Sequence, residues 1–285
     1  MIYILLSLNF LLMIAFPLAV GAYIARRYKP GWGLFGIGAV TFILSQVGHI
    51  PFNWLILQQL QLIPADVTQT GTLVVYALFL GLSAGVFEET ARYLAYRFWV
   101  KDARTWAQGL MLGAGHGGIE AIIVGGLGLV NFAAMAAMRN GTLLDSVPPE
   151  MLPQVQAQID ALFNTPLPLT LLGFVERVFA IASHLAMSLL VLQVFVRGQK
   201  RWLFYSIAFH ALLNATAVIA VVRTNPVITE GLIGLIALGA VGLIWCLRRS
   251  EPAELEPAPL PKMITPTEAI TPEITPERLD DSKFS

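Results

Sequence analysis

The sequence is poor in charged residues and in cysteine, and it carries no net charge. Only 13% of its 285 residues are Asp, Glu, Lys or Arg, against about 25% in an average soluble domain. A net charge of zero, with no basic run among aromatic residues, argues against nucleic acid as a partner. The one cysteine, Cys246, excludes an internal disulfide framework and a cysteine-based zinc knuckle.

Hydrophobic residues, in contrast, make up 56% of the chain, and the mean hydropathy is +0.69. A window of about 20 residues predicts seven membrane spans. They cover residues 3–25, 32–55, 71–98, 105–137, 167–196, 202–222 and 227–247. We therefore predict an all-α polytopic membrane helix bundle over residues 1–249, with the lipid bilayer as its surroundings.

The short loops predict the orientation of this bundle. Eleven Lys and Arg residues follow spans one, three, five and seven, whereas the opposite loops hold two. By the positive-inside rule, the N-terminus is outside and the C-terminus is cytoplasmic. We expect a multi-pass protein of the plasma membrane of a bacterium.

Two segments outside the spans have distinct compositions. Residues 139–165 carry apolar residues at helical spacing, which favours a helix lying on the outer leaflet over a lid that gates the substrate. Residues 250–285 are rich in Pro and Glu and have too little apolar surface to fold alone. We predict a disordered cytoplasmic tail there.

Ionisable and polar residues lie well inside four of the spans. They are Glu88, Glu89 and Arg92 in span three, His116 and Glu120 in span four, Glu176, Arg177 and His184 in span five, and His210 and Asn214 in span six. An ionisable group near mid-membrane costs about 2.5–3.5 kcal/mol even on the mild insertion scales, so such residues need partners. Counting about 1.5 Å per residue from the cytoplasmic flanks brings most of them to a similar depth. We predict that residues 71–222 form the core of one shared site.

The spacing of these residues indicates which side chains share a helix face. Glu88 and Arg92 are four residues apart, and so are His116 and Glu120. An imidazole and a carboxylate one turn apart can bind the same cation, as they do in zinc helices of soluble proteins. The fourth histidine, His49, lies near the outer end of span two, where we expect it to cap the helix or snorkel.

Four short motifs on successive spans resemble a known family. They are EETAR from Glu88, GHGGIE ending at Glu120, ER at Glu176 and Arg177 followed by SH at Ser183 and His184, and HALLN from His210. In this order they look like the YhfC-type membrane peptidases, which are relatives of the CPBP (Abi) and CAAX prenyl protease group of intramembrane metalloproteases. The resemblance covers spans three to six.

This resemblance implies hydrolysis of a peptide bond, within or near the membrane, in a membrane protein or peptide substrate. It implies that Glu88 or Glu89 activates water beside Arg92, and that a divalent metal such as zinc is bound. The implied metal ligands are drawn from His116, Glu120, His184, His210 and Asn214. The middle ligand stays open among His116, Glu120 and His184.

The sequence departs from the broader group at two positions. Arg92 comes one residue sooner after the glutamates than in the group's first motif. Ala180 stands four residues before His184, where the group has Phe. Two other functions also stay open: a cation or proton transporter, which lines its path with intramembrane Glu, His and Asn, and a non-catalytic scaffold of the same fold.

Overall fold

The computed structural model describes residues 1–64 and 66–249. The described residues form helices and no strands. The α-helices are α1 (Ile2–Tyr28), α2 (Gly33–Trp54), α3 (Thr70–Leu94), α4 (Trp106–Arg139), α5 (Leu152–Phe163), α6 (Leu172–Val196), α7 (Arg201–Arg223) and α8 (Pro226–Arg249). The predicted tail, residues 250–285, lies outside the described residues.

Seven of these helices are long and apolar enough to cross a membrane, and α5, with 12 residues, is the exception. The seven coincide with the seven predicted spans, so the all-α membrane bundle is confirmed. Single turns of π-helix, Leu55–Gln59 and Ala95–Trp99, extend α2 and α3. The orientation of the two termini stays a prediction.

Helix α4 lies at the centre of the bundle and packs against α1, α2 and α6. Its neighbours approach closely because glycines replace side chains along it. A Cβ atom at Gly115 would overlap the backbone carbonyl of Phe35, and one at Gly117 would lie 2.6 Å from the ring of His184. The glycines of α4 therefore allow the buried polar residues of α4 and α6 to meet.

We expect Gly115→Ala to lower the free energy of unfolding by at least about 1–3 kcal/mol, because backbone cannot move aside as a flexible side chain can. Gly126→Ala on the same helix is the matched control, since a Cβ atom there meets nothing within 4 Å. Thermal unfolding in detergent compares the two variants. Equal stabilities would contradict the close packing of α4 against α2.

Hydrogen bonds fix α3, α4 and α6 to one another beside the polar residues. The Tyr96 hydroxyl lies 2.9 Å from Ser188 Oγ, and Ser188 Oγ donates to the carbonyl of Gly109 at 2.9 Å. All three residues are buried. These hydrogen bonds join the π-helical turn after α3 to α4 and α6.

Helix α5 forms inside the loop where a helix was predicted. Ile159 and Phe163 are buried against Leu6 of α1 and Phe132 of α4. The Arg139 guanidinium lies 4.5 Å from the centre of the Phe163 ring. Helix α5 is thus packed on one end of the α1 and α4 pair.

Candidate metal and catalytic site

Four helices bring their ionisable residues to one buried cluster. The members are Glu88, Glu89 and Arg92 from α3, His116 and Glu120 from α4, Arg177 and His184 from α6, and His210 from α7. Glu89, Arg92 and His116 have no exposed surface, and His184 and His210 are buried as well. The residues predicted to share a site therefore do meet.

Glu89 is surrounded by hydrogen-bond donors on both of its oxygens. Arg92 Nη1 donates to Oε1, and Ser206 Oγ donates to Oε2 at 2.7 Å. His210 Nδ1 lies 2.8 Å from Oε1. Because a carboxylate with these partners accepts, the Nδ1 of His210 carries the proton and donates. The lone pair of His210 is then on Nε2.

His116 has the same arrangement with a different anchor. Thr41 Oγ1 donates to the carbonyl of Gly38 at 2.6 Å and lies 2.8 Å from His116 Nδ1. Since the single hydroxyl proton goes to the carbonyl, Nδ1 of His116 donates to Thr41 and Nε2 carries the lone pair. That Nε2 lies 3.0 Å from Glu88 Oε2, and His210 Nε2 lies 3.9 Å from the same oxygen.

His184 is held between an anion and a cation. Its Nε2 lies 2.7 Å from Glu120 Oε2, and its Nδ1 lies 2.6 Å from Arg92 Nη2. A guanidinium only donates, so Nδ1 carries the lone pair and Nε2–H donates to Glu120. Arg177 in turn donates to Glu120 at 2.7 Å and forms an ion pair with Glu176. Glu120 therefore lies behind His184 as its anchor.

The three imidazoles share one pattern. Each has an N–H held by a protein acceptor, and each directs its other nitrogen toward the cluster. The ring centres of His116 and His184 are 5.4 Å apart, and those of His184 and His210 are 5.8 Å apart. Ligand atoms of Glu88, His116 and His184 lie within 4.8 Å of one another. Histidines whose second nitrogen is anchored in this way are typical of metal sites.

The donor set therefore fits a divalent cation. The bare Nε2 of His116 faces a carboxylate oxygen of Glu88 at 3.0 Å, so two acceptors oppose each other without a proton assigned between them. The lone pair of His184 accepts from Arg92 Nη2, so Nδ1 of His184 would bind a metal in exchange for that hydrogen bond. Imidazole nitrogens together with a carboxylate are the ligands that Zn²⁺ prefers in proteins.

A cavity of about 90 Å³ adjoins the cluster. Its lining residues are Glu88, Glu120, Glu176, Arg177, Ala180, His184, His210, Leu213, Asn214, Ala217 and Ile233. Glu88 reaches this space, whereas Glu89 does not line it. None of the lining residues belongs to α5. Asn214, predicted as a ligand, lies in the wall, and its side chain has no hydrogen bond to another described residue.

Helix α2 contributes residues that the predicted core of 71–222 left out. Thr41 anchors His116, and Gln46 Nε2 lies 3.3 Å from Glu88 Oε1. A signal for Thr41, though not for Gln46, was present in the sequence, because Thr41, Ser45, His49 and Asn53 recur every four residues along span two. A polar stripe at this spacing indicates a helix face that points toward protein and not toward lipid.

The prediction that His49 caps the helix or snorkels is wrong. Its Nδ1 lies 3.2 Å from Gln46 Oε1, and its Nε2 lies 3.2 Å from Ser83 Oγ on α3 and 2.9 Å from Asn53 Nδ2. The ring also stacks on Phe87 with 5.7 Å between ring centres. His49 is therefore part of the α2–α3 interface.

Comparison with known proteins points to the same class of site, a metal site inside the membrane, as the geometry does. Residues 11–236 match the family model described as YhfC intramembrane metalloprotease. The chain is similar to the uncharacterized membrane protein YhfC of Bacillus subtilis (strain 168), with 34% identity over 245 residues that cover 82% of this chain and 92% of that protein. No solved structure matches the chain. The chain belongs to the YhfC intramembrane metalloprotease family.

Proposed function

We propose that the protein is a metal-dependent intramembrane protease that hydrolyses a peptide bond within or near the membrane, using water activated by Glu88. The observation that carries this proposal is the set of three buried imidazoles, each anchored through one nitrogen and each directing its lone pair toward the cluster that contains Glu88. Membership of a family described as metalloproteases supports the reaction class.

We assign the binding of the metal, in our proposal zinc, to His116 and His184, whose ligand atoms lie within 4.8 Å of each other, and to His210. The Nε2 of His210 lies outside that group and is 3.9 Å from Glu88 Oε2. When bound, such a metal supplies a Lewis acid that polarises a carbonyl group and lowers the pKa of water to about 7. Thr41, Glu120 and Glu89 fix the tautomers of the three imidazoles so that each lone pair faces the cluster. The lone pair of His184 would exchange its hydrogen bond with Arg92 for the metal. Glu120 acts in this proposal as the anchor of His184 and not as a ligand.

The two adjacent glutamates have different partners, and this difference supports different roles. Both oxygens of Glu89 accept hydrogen bonds, and its charge is compensated by Arg92, so it positions His210. Glu88 lines the cavity, and its Oε2 lies among the imidazoles. Glu88 is therefore the carboxylate that accepts a proton from water as the peptide carbonyl is attacked.

Asn214 supports the handling of the substrate carbonyl. Its side chain lies in the cavity wall one helical turn from His210, and its amide is not engaged with another described side chain. An amide N–H directed at the carbonyl oxygen stabilises the negative charge that develops there during attack. We propose this role for Asn214 in place of metal ligation.

The surroundings of the site indicate the class of substrate. All ionisable members of the buried cluster lie on helices that are apolar enough to span the membrane. We therefore propose a membrane protein or a membrane-associated peptide as the substrate, and the plasma membrane of a bacterium as the location. The N-terminus lies outside in this proposal, as the distribution of basic loop residues predicts.

The proposal is tested with purified protein in proteoliposomes that also contain labelled bacterial membrane proteins. Mass spectrometry of new peptide N-termini should show cleavage that stops on addition of 1,10-phenanthroline and returns with Zn²⁺. The same vesicles report cation and proton flux. Ion flux without new peptide N-termini would contradict the proposed protease activity and favour a transporter. The absence of both flux and cleavage would favour a scaffold.

Thr41→Val should weaken the binding of Zn²⁺ by about 10–100-fold, the usual cost of removing an outer hydrogen-bond partner of a metal-bound histidine. The substitution keeps the side-chain shape and removes the oxygen that accepts from His116 Nδ1. Competition with a fluorescent chelator measures the affinity. Thr41→Ser keeps the hydroxyl and is the control, and an affinity in Thr41→Val equal to that of Thr41→Ser would exclude this role.

A further inference from the structure

A row of polar side chains on α2 ends at Glu88. Gln46 Nε2 lies 3.3 Å from Glu88 Oε1 and 3.2 Å from Ser45 Oγ. Ser45 Oγ donates its own proton to the carbonyl of Phe42 at 2.7 Å, so it accepts from Gln46. Both amide protons of Gln46 therefore have acceptors, and one of these is the carboxylate of Glu88.

The direction of these hydrogen bonds follows from the chemistry of the groups. A carboxylate accepts, so the nitrogen of the Gln46 amide faces Glu88 and its oxygen faces His49. At 3.2 Å, that oxygen requires a donor on His49 Nδ1. His49 Nε2 is then an acceptor, and Asn53 Nδ2 lies 2.9 Å from it. The chain runs from Asn53 through His49 and Gln46 to Glu88, with every donor facing an acceptor.

We propose that Gln46 and His49 are positioning residues for Glu88. Gln46 occupies Oε1 of the carboxylate, which leaves Oε2 directed at the imidazoles of His116 and His210. His49 acts through Gln46, because its Nδ1–H fixes the amide in the orientation that donates to Glu88. This inference rests on the proposed function, in which Glu88 is the carboxylate beside the metal.

The α2 contacts give this role a physical reason. Oε2 is the oxygen of Glu88 that lies 3.0 Å from His116 Nε2, and Arg92 Nη2 is 3.9 Å from the same oxygen. Without Gln46, Oε1 would lose the one side-chain hydrogen bond that the described residues give it. The carboxylate could then rotate toward Arg92 and away from His116.

The first test replaces Gln46 by Leu and measures Zn²⁺ affinity by chelator competition in detergent. We expect the affinity to fall by about 5-fold, because Glu88 is a negative charge beside the metal and not a ligand, and displacing it weakens the electrostatic attraction. The absorption bands of the Co²⁺-loaded protein should shift at the same time. Gln59→Leu, an exposed glutamine just beyond α2, is the control and should change neither quantity.

The second test distinguishes hydrogen bonding from packing at His49. In His49→Asn the amide nitrogen is bonded to Cγ, as Nδ1 is in histidine, so the donor to Gln46 is kept. In His49→Phe the ring that stacks on Phe87 is kept and the donor is lost. We expect His49→Asn to retain most of the Zn²⁺ affinity and His49→Phe to lose it as Gln46→Leu does.

The opposite order, with His49→Phe close to the wild type and His49→Asn impaired, would overturn the positioning role and leave the proposed function standing. Wild-type affinity in both Gln46→Leu and His49→Phe would overturn it as well. A wild-type protein that binds no Zn²⁺ would instead contradict the proposed function, and the inference would fall with it.

Discussion

Glu88→Gln is expected to lower the rate of peptide cleavage by about 10²–10⁴-fold, the usual contribution of a general base. The amide keeps the size of the side chain and accepts hydrogen bonds, but it cannot take a proton from water. The measurement is the rate at which new N-termini appear in proteoliposomes, at equal amounts of folded and zinc-loaded protein.

Glu176→Gln is the matched control for this change. Glu176 also lines the cavity, and its side chain is 39% exposed and paired with Arg177, away from the imidazoles. The same loss of a carboxylate there should leave the rate near that of the wild type. Full cleavage by Glu88→Gln, or a loss confined to Glu89→Gln, would contradict the assignment of Glu88 as the base.

Arg92→Met is expected to lower the free energy of unfolding by about 3–5 kcal/mol, because removing one partner of a buried ion pair leaves the other charge uncompensated. Arg92 and Glu89 have no exposed surface, and Arg92 also donates to His184. Unfolding in detergent, followed by circular dichroism, measures the loss. Wild-type stability in Arg92→Met would contradict the ion pair with Glu89.

The double variant Glu89→Gln with Arg92→Met separates charge from packing. Neutralising Glu89 removes the uncompensated charge, so the double variant should be more stable than Arg92→Met alone. If the losses of unfolding free energy in Glu89→Gln and Arg92→Met add in the double variant, the two side chains do not interact, and the ion pair does not orient Glu89. His210 would then need another explanation for its orientation.

The spans could be predicted from the sequence because a bilayer imposes a simple requirement. Backbone groups must be satisfied within each helix and about 20 apolar residues are needed to cross, so long hydrophobic runs mark the helices directly. The short amphipathic helix α5 was also predictable from its spacing. Hydropathy does not show which helix faces meet. The close approach of α4 to α2, for example, depends on single glycines such as Gly115.

The ionisable members of the site could be predicted for a related reason. Charged and imidazole side chains are costly in a membrane and therefore rare, so their presence on four spans at one depth pointed to a common cluster. Thr41 and Gln46 are neutral and less costly, and residues of these types are common in membrane helices. Their importance depends on the atoms they face, which only the packing of α2 against α3 and α4 determines.

The roles of Glu88 and Glu89 could not be separated from sequence. Adjacent residues on a helix point about 100° apart, so two neighbouring carboxylates have different surroundings that depend on the tertiary packing. Helix α7 surrounds Glu89 with Ser206 and His210, whereas Glu88 faces His116 and the cavity. Likewise, the sequence alone leaves Glu120, His116 and His184 open as the middle ligand, and our proposal for Glu120 rests on its contacts with His184 and Arg177.

In the proposed mechanism, three anchored imidazoles from α4, α6 and α7 bind one metal ion. The most direct test is the metal content of the purified protein by mass spectrometry, for the wild type and for variants with Ala at His116, His184 or His210. We expect a single zinc-like ion per chain in the wild type and the loss of this ion in each folded variant. A wild-type protein that holds no metal after zinc loading, or three variants that all retain the metal, would contradict a metal site at these histidines.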